Sequence, residues 1–488
     1  MPAFSLDPPQ TAWCAELRTL AAERLRPLAE KGEPGHVNRA LVAELGQLGL
    51  LERLFTSGAV DLCLMRESLA YACTEAETAL ALQGLGAHPV HAHGTPAQRE
   101  RWLPRVAEGS AVAAFALSEP GAGSDAAALE LRARPEAAGT TGPPAASGSA
   151  RSVDAPDAQP RDARQVGAPP YARAGGARAA GAPHAEAGGA RVADSPPAVS
   201  GSPPAVPGPP SAGPGSSPAA PGASAVPAEP VAPLGAARAG APLAAHPDGP
   251  ARWRLTGEKC WISNAPEADF YTVFARTTPG AGARGVTAFL VPADRPGLTG
   301  AGLDMLSPHP IGTLTFGAVP VTADDVLGEP DRGFRVAMGT LNLFRPSVGA
   351  FAVGMAQAAL DATLAHTARR DAFGGKLKDL QTVAHQVAEM ALRTEAARLM
   401  VYAAATAYDD GAPDVPKRAA MAKLLATETA QYVVDQAVQL HGARALRRGH
   451  LLEHLYREVR APRVYEGASE VQRGIIAKEL YAEGKVAP

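Results

Sequence analysis

The chain has 488 residues, with 46 Lys and Arg against 49 Asp and Glu, and a formal net charge of −3. That length exceeds what one hydrophobic core supports, so two or three domains are expected, and the near-neutral balance excludes a sequence-wide attraction for nucleic acid or an anionic membrane. The four cysteines, Cys14, Cys63, Cys73 and Cys260, form no C-x-x-C pair and no histidine cluster accompanies them, which points away from a disulfide framework or a metal site and toward buried thiols in a reducing compartment.

The opening segment, MPAFSLDPPQTAWCAEL, has no basic stretch followed by an apolar core, and no run of eighteen apolar residues occurs, so a soluble, cytoplasmic protein without membrane insertion is expected. LRTLAAERLRPLAE, VNRALVAELGQLGLLERL, LCLMRESLAYACTEAETALALQGLG and PAQRERWLPRVAEG then carry apolar residues three and four apart, predicting an α-helical domain over residues 1–110.

After it comes FALSEPGAGSD, residues 115–125, a strand-like run ending in a Pro-Gly turn with exposed amides and the hydroxyls of Ser118 and Ser124. Such turns can hold phosphates or polar heterocycles. The extended runs LELRAR and RWRLT can pair as a hairpin, but between them the composition changes. Residues 141–250 contain 23 of the chain's 46 prolines and no Ile, Met, Phe, Trp, Cys or Lys, so the segment at about 135–248 is expected to be a disordered, polyproline-rich insertion. A flexible loop lengthened from about five to about 110 residues costs only some 2.7 kcal/mol, so a sheet can carry it.

TGEKCWISNA, residues 256–265, follows as part of a β block with DFYTVFART and GVTAFLVPAD. Alternation along a strand would put Trp261 and Ser263 on one side, where an indole and a hydroxyl could address one ligand, although a tryptophan in a strand is by default core packing. This middle β domain is placed at 111–332. From Gly333 helical periodicity returns, notably in TVAHQVAEMALRTEAARLMVYAAATAY and PKRAAMAKLLATETAQYVVDQAVQLHG, giving a C-terminal four-helix-bundle domain over 333–488. The fold class is thus α+β multidomain: helical, β-sheet, helical.

Two stretches of the last block carry chemistry. ARRDAFGGKLKDLQ, residues 368–381, presents Arg370, which could grip a pyrophosphate. RVYEGASEVQRGIIAKEL, residues 463–480, sets Glu466 between Tyr465 and Gly467. Ser469 followed by Gln472 has the form of a capping box, so a helix is predicted to start near Glu470, with Glu466 in the turn before it. A helix N-terminus favours the anion there and burial against aromatic surface favours the neutral acid, so from the residues alone Glu466 reads either as a solvated carboxylate or as a buried one.

Taken together and in this order, the T/S-E-P-G-A-G-S-D loop, the G-x-K-x-W-I-[TS]-N-A strand, R-x-x-F-G with its later Gln, a Q-x-x-G element and Y-E-G-[TA]-S-[EQ] resemble the acyl-CoA dehydrogenase family over nearly everything except the insertion. The resemblance implies FAD as cofactor, with Ser118 and Ser124 contacting it, Trp261 against its ring and Ser263 bonding its reactive edge. Arg370, Phe373 and Gln381 would reach the FAD of a neighbouring subunit, Gln439 and Gly442 its pyrophosphate, and Ser469 joins the cofactor-binding set. The last glycine element departs from the family's G-G-x-G, with Ala443 and Ala445 where close backbone approach would be needed. Glu466 would be the catalytic base, supported by Arg345, Tyr465 and Gly467; the family's other position for the base is here Phe344, which cannot accept a proton. The implied activity is α,β-dehydrogenation of an acyl-CoA thioester in fatty acid metabolism, Glu466 taking the α-proton and hydride passing to flavin N5. A homodimer or homotetramer and an electron-transfer flavoprotein as electron acceptor are implied with it. An acyl-CoA oxidase, or a catalytically silent binding protein on the same scaffold, is the alternative.

Overall fold

A computed structural model describes residues 6–136 and 252–483. The first helix, α1 (Pro8–Leu20), starts in a capping box in which the Asp7 carboxylate accepts from the Gln10 N–H, and runs through a π-helical turn at Ala21–Leu25 into α2 (Arg26–Ala29). Next come α3 (Arg39–Gln47), α4 (Arg53–Thr56), α5 (Ala59–Ala72), α6 (Thr74–His93) and α7 (Pro96–Ala107). The single helical run read over LCLMRES to LQGLG is two helices, because Cys73 takes extended dihedrals between α5 and α6.

Eight strands follow: β1 (Ala113–Ala116), β2 (Arg132–Pro135), β3 (Arg252–Ser263), β4 (Phe270–Arg276), β5 (Val286–Pro292), β6 (Leu298–Gly302), β7 (Ile311–Thr322) and β8 (Val326–Leu327). They form one sheet in the order β6-β7-β3-β2-β4-β5-β8, with β1 beside β4. The expected hairpin is present, β2 and β3 pairing antiparallel from Arg132 opposite Thr256 to Pro135 opposite Trp253. Pro135, expected to open the insertion, is therefore still strand; the rest of the insertion from residue 137 lies outside the described residues.

Along β4 the period of two is visible in the packing: Phe270 and Phe274 join a core with Trp102 of α7, and Tyr271, Val273 and Ala275 join another with Trp253 and Phe289. The Trp102 and Phe270 rings lie 4.6 Å apart.

The chain then enters α8 (Gly333–Arg369) and passes a short hairpin of β9 (Asp371–Ala372) and β10 (Gly375–Lys376). It continues through α9 (Gln381–Asp409), α10 (Val415–His441), α11 (Leu451–Glu458) and α12 (Ser469–Glu483). By length and composition α8 could cross a membrane, yet 72% of its most apolar window is buried inside the protein. Its apolar residues, among them Phe344, Phe351 and Met355, share one core with Leu62 and Met65 of α5, Val401 of α9 and Val433 of α10, so the first and last helical blocks are packed into a common interior.

Candidate active site

The sheet and the two helical blocks enclose a cavity of about 610 Å³ with mainly apolar walls. Its sheet side is built by the loop after β1 and by an irregularity in β3. In the loop, the Glu119 carboxylate is buried and accepts the N–H groups of Glu130 (2.5 Å) and Leu131 (3.0 Å). The fully buried Lys259 donates to Glu119 Oε1 at 2.8 Å and to the Leu117 carbonyl at 2.9 Å, and the Cys260 N–H reaches the Ser118 carbonyl at 3.0 Å. Burial pushes the Lys259 ammonium down to about 8, against the opposing pull of Glu119. Fixed from below in this way, the loop turns Ser118, Gly123 and Ser124 to the cavity. A Cβ added at Gly121 or Gly123 would meet nothing within 4 Å, so the loop offers an open backbone surface.

Along β3, Lys259 pairs with Leu314 but Ile262 with Gly312, which marks a bulge, and Trp261 takes φ 56°. The bulge re-aims the indole: Trp261 is 49% exposed instead of packed in the core, and with Ser263 it lines the cavity.

The helical side supplies the charges. Glu466 sits in the turn between α11 and α12 at φ 51°, followed by Gly467 at φ 95°, and both line the cavity with Tyr465. Glu466 Oε2 is buried without a hydrogen-bond partner among the described residues. Burial raises its pKa, while Arg66, Lys423 and Arg345 pull the other way. None of these cations pairs with the carboxylate. Instead Arg345 Nε donates to the Glu466 carbonyl (3.3 Å), and Lys423 Nζ donates to the carbonyls of Tyr465 (3.0 Å) and Gly467 (2.6 Å). Arg66 is held by Glu77 and, through Nη1, by the Ser347 hydroxyl at 2.7 Å.

Two other buried carboxylates line the cavity, and both are in ion pairs: Glu77 with Arg66, and Glu458 with His309 at 2.6 Å. Burial opposes the ionised form of Glu458, but His309, together with His454 and Arg457, more than offsets it and the Glu458 pKa falls. Glu466 is the buried acid of the cavity left without an ion pair.

The capping box expected at Ser469 is not formed. Ser469 is the first helical residue, its hydroxyl donates to Glu428 Oε1 at 2.6 Å, and the Gln472 side chain reaches back to the Glu466 (3.2 Å) and Gly467 (2.8 Å) carbonyls. Ser469 is thus outside the cavity wall. So are Arg370, Phe373, Gln381, Gln439 and Gly442. Phe373, at φ 54° in the β9–β10 hairpin, is 89% exposed, and Gly442 takes φ 65° at the end of α10. Sequence reasoning had missed Arg66, Glu77 and Lys423; the available signal was a charged residue on an apolar helical stripe, as Lys423 is among Ala419, Ala420, Ala426 and Ala430, all buried.

A helix-sheet-helix protein that closes an apolar cleft around a buried carboxylate left without an ion pair, with an indole and a Gly/Ser loop on the facing wall, is the class this architecture defines. Comparison narrows it. Family models of the acyl-CoA dehydrogenase N-terminal, middle and C-terminal domains match residues 7–110, 229–319 and 331–481 in succession, and the chain belongs to the acyl-CoA dehydrogenase family. Probable acyl-CoA dehydrogenase FadE25 of Mycobacterium tuberculosis is 38% identical over 231 residues, 47% of this chain and 59% of that protein. Short-chain specific acyl-CoA dehydrogenase, mitochondrial, of Bos taurus is 42% identical over 231 residues, 47% of this chain and 56% of that protein. The aligned stretch therefore spans little more than half of these relatives. The fold is also that of butyryl-CoA dehydrogenase from Megasphaera elsdenii, with a TM-score of 0.70 at 24% identity over 98% of this chain and 99% of the other. The glutaryl-coenzyme A dehydrogenase glutaryl-CoA complex gives 0.71 at 23% identity over 99% and 98%.

Proposed function

We propose that the chain is an FAD-dependent acyl-CoA dehydrogenase in which Glu466 removes the α-proton of the bound thioester. The observation that carries this reading is the buried, unpartnered Oε2 of Glu466 on a cavity shared with Trp261, Ser263, Ser118 and Ser124.

The residues fit the cofactor. The open surface at Gly121 and Gly123 suits close approach of a large polar group, the serine hydroxyls supply donors, and the exposed indole of Trp261 offers a flat apolar face. FAD, when bound, supplies the acceptor for the hydride that leaves the β-carbon. The protein's part is proton transfer and positioning. As the α C–H bond breaks, its proton passes to a Glu466 oxygen and the electron pair moves toward the thioester carbonyl. Burial makes the carboxylate a stronger base, and an acyl chain that expels water from the apolar cavity strengthens it further. Arg66, Lys423 and Arg345 oppose that rise and favour the anion without taking up its lone pairs.

Arg370, Phe373, Gln381, Gln439 and Gly442 complete the proposed cofactor site from the surface of this chain toward a second subunit, in a homodimer or homotetramer; Ser469, proposed as a further cofactor contact, is buried with its hydroxyl on Glu428. The exposure of Phe373 supports that assignment. An electron-transfer flavoprotein is the proposed electron acceptor. The four cysteines are free, which fits a cytoplasmic location. Turnover of an acyl-CoA panel with an artificial acceptor, run beside Glu466→Gln, tests the proposal: the variant is expected to hold FAD and lose nearly all activity. Wild-type turnover in Glu466→Gln overturns it, and fast reoxidation of the reduced enzyme by air with peroxide release reassigns the protein to the oxidases.

A further inference from the structure

The carbonyls around Glu466 are held from behind, and the direction of that hold has a chemical consequence. Lys423, on α10, is 0% exposed, and its ammonium donates to the carbonyls on both sides of the residue, Tyr465 at 3.0 Å and Gly467 at 2.6 Å. No residue of α10 lines the cavity, so Lys423 approaches the turn from behind the cavity wall. In a trans peptide the C=O and the following N–H point in opposite directions. Fixing the Tyr465 carbonyl toward Lys423 therefore turns the Glu466 N–H away from α10, and that N–H finds no acceptor among the described residues. A backbone donor left without an acceptor at a cavity wall is one that a ligand can complete.

Resting on the proposed dehydrogenase reading, we infer that Lys423 is a positioning residue for the thioester: by holding the Tyr465 and Gly467 carbonyls it aims the Glu466 N–H at the substrate carbonyl and polarises it. When the α-proton passes to the Glu466 carboxylate, the electron pair of the broken C–H bond moves onto the thioester oxygen, where this N–H meets it. A cation on the carbonyl end of a peptide draws electron density through the amide and makes its N–H a stronger donor. Lys423 acts on the same peptide whose far side stabilises the enolate, without touching the substrate. Arg345 and Gln472 hold the intervening Glu466 carbonyl and so fix the next peptide in the turn.

The test uses the FAD-loaded enzyme and a 3-oxoacyl-CoA, which ionises to its enolate without any redox step and reports that ionisation by its absorbance. Lys423→Met is expected to keep its flavin while the bound enolate becomes about 10- to 100-fold less favoured, with kcat falling by a similar factor and KM little changed. If Lys423→Met does not retain FAD, Lys423→Gln carries the test, because its amide can donate to one of the two carbonyls without charge; an intermediate loss is expected. A variant that holds FAD and ionises the bound 3-oxoacyl-CoA as wild type does, whatever its stability, overturns the inference and leaves Lys423 a strut. Glu466→Gln separates the two levels: if it keeps turnover the dehydrogenase reading itself fails, and if it loses turnover while Lys423→Met leaves enolate ionisation unchanged, only the role of Lys423 fails.

Discussion

Replacing Lys259 by Met tests how the Gly/Ser loop is held at the cavity. The ammonium is fully buried and is the donor shared by Glu119 Oε1 and the Leu117 carbonyl. Removing one partner of a buried ion pair costs about 3–5 kcal/mol, because the other charge is left behind. Glu119 keeps the N–H groups of Glu130 and Leu131, which puts the expected loss at the lower end, about 3 kcal/mol. The pH dependence has a definite sign. Burial lowers the folded-state pKa of Lys259 from 10.5 to about 8, so between those values the unfolded chain binds the extra proton. Wild-type stability from this group is then at its minimum below pH 8 and grows above it, and the gap to Lys259→Met should widen by up to about 1.4 kcal/mol per pH unit between 8 and 10. Thermal unfolding followed by circular dichroism and by flavin fluorescence at pH 7 and pH 9 reads both effects, with earlier flavin release in the variant. Lys259→Met with Glu119→Gln removes the stranded charge and should recover part of the loss. Equal unfolding temperatures at both pH values with flavin retained, or a double variant no better than the single one, would refute the account of the loop.

Other consequences can be measured separately. Glu466→Gln should lower kcat by about 10²–10⁴-fold. It should also raise the unfolding temperature at pH 7, because a carboxyl whose folded pKa lies above its unfolded value is a net cost once both states are ionised; the gain should vanish as pH falls below the ordinary carboxylate range. Trp261→Ala should weaken flavin binding by about tenfold while hardly changing stability, since the indole is half exposed; titration of the apoprotein with FAD decides. The pH profile of kcat/KM should rise through an acid limb above the ordinary glutamate range, set by Glu466, and fall near pH 8 as Lys423 loses its proton. Burial places Lys423 there, among Glu466, Arg345, Glu428 and Glu470, and Lys423→Gln should lack the alkaline limb.

How much of this was legible depended on whether the signal was local. Ser118, Ser124, Trp261, Ser263, Tyr465, Glu466 and Gly467 were each marked by a short motif and Arg345 by its place beside Phe344, and all eight meet on one cavity. Strand β7 was not read, because Gly312, Gly317 and Pro320 punctuate it. It survives Pro320 because β6 reaches only from Gly312 to Phe316, so the proline lies beyond the stretch where β7 is paired on both sides. The bulge that re-aims Trp261 was invisible too, since it arises from pairing with β7, a strand more than forty residues downstream. Ser469 carried the right spacing for a capping box, yet Glu428 of α10, unrelated in sequence, takes its hydroxyl. Lys423 and Arg66 sit inside helical runs read from periodicity; only the tertiary fold shows that they face the Glu466 turn.

That turn gathers costs that the rest of the fold avoids. Glu466 holds a left-handed backbone at a side chain with a Cβ, worth about 1–2 kcal/mol of strain. Its carboxylate is buried with one oxygen unpartnered, and a lysine and two arginines are buried around it. A structure built only for stability would pair these charges directly. Here the cations are occupied by backbone carbonyls or by other carboxylates, so the electrostatic field of three positive groups reaches Glu466 while its oxygens stay open. Were any of the three to pair with the carboxylate, its pKa would drop by roughly 1–3 units and a base would become a structural anion. The backbone hydrogen bonds of Lys423 and Arg345, and the ion pair of Arg66 with Glu77, are what prevent that exchange, and they explain why the proposed base stands in a turn: in a helix those carbonyls would already be bonded within the helix, leaving neither an anchor for the cations nor a free N–H for the proposed substrate.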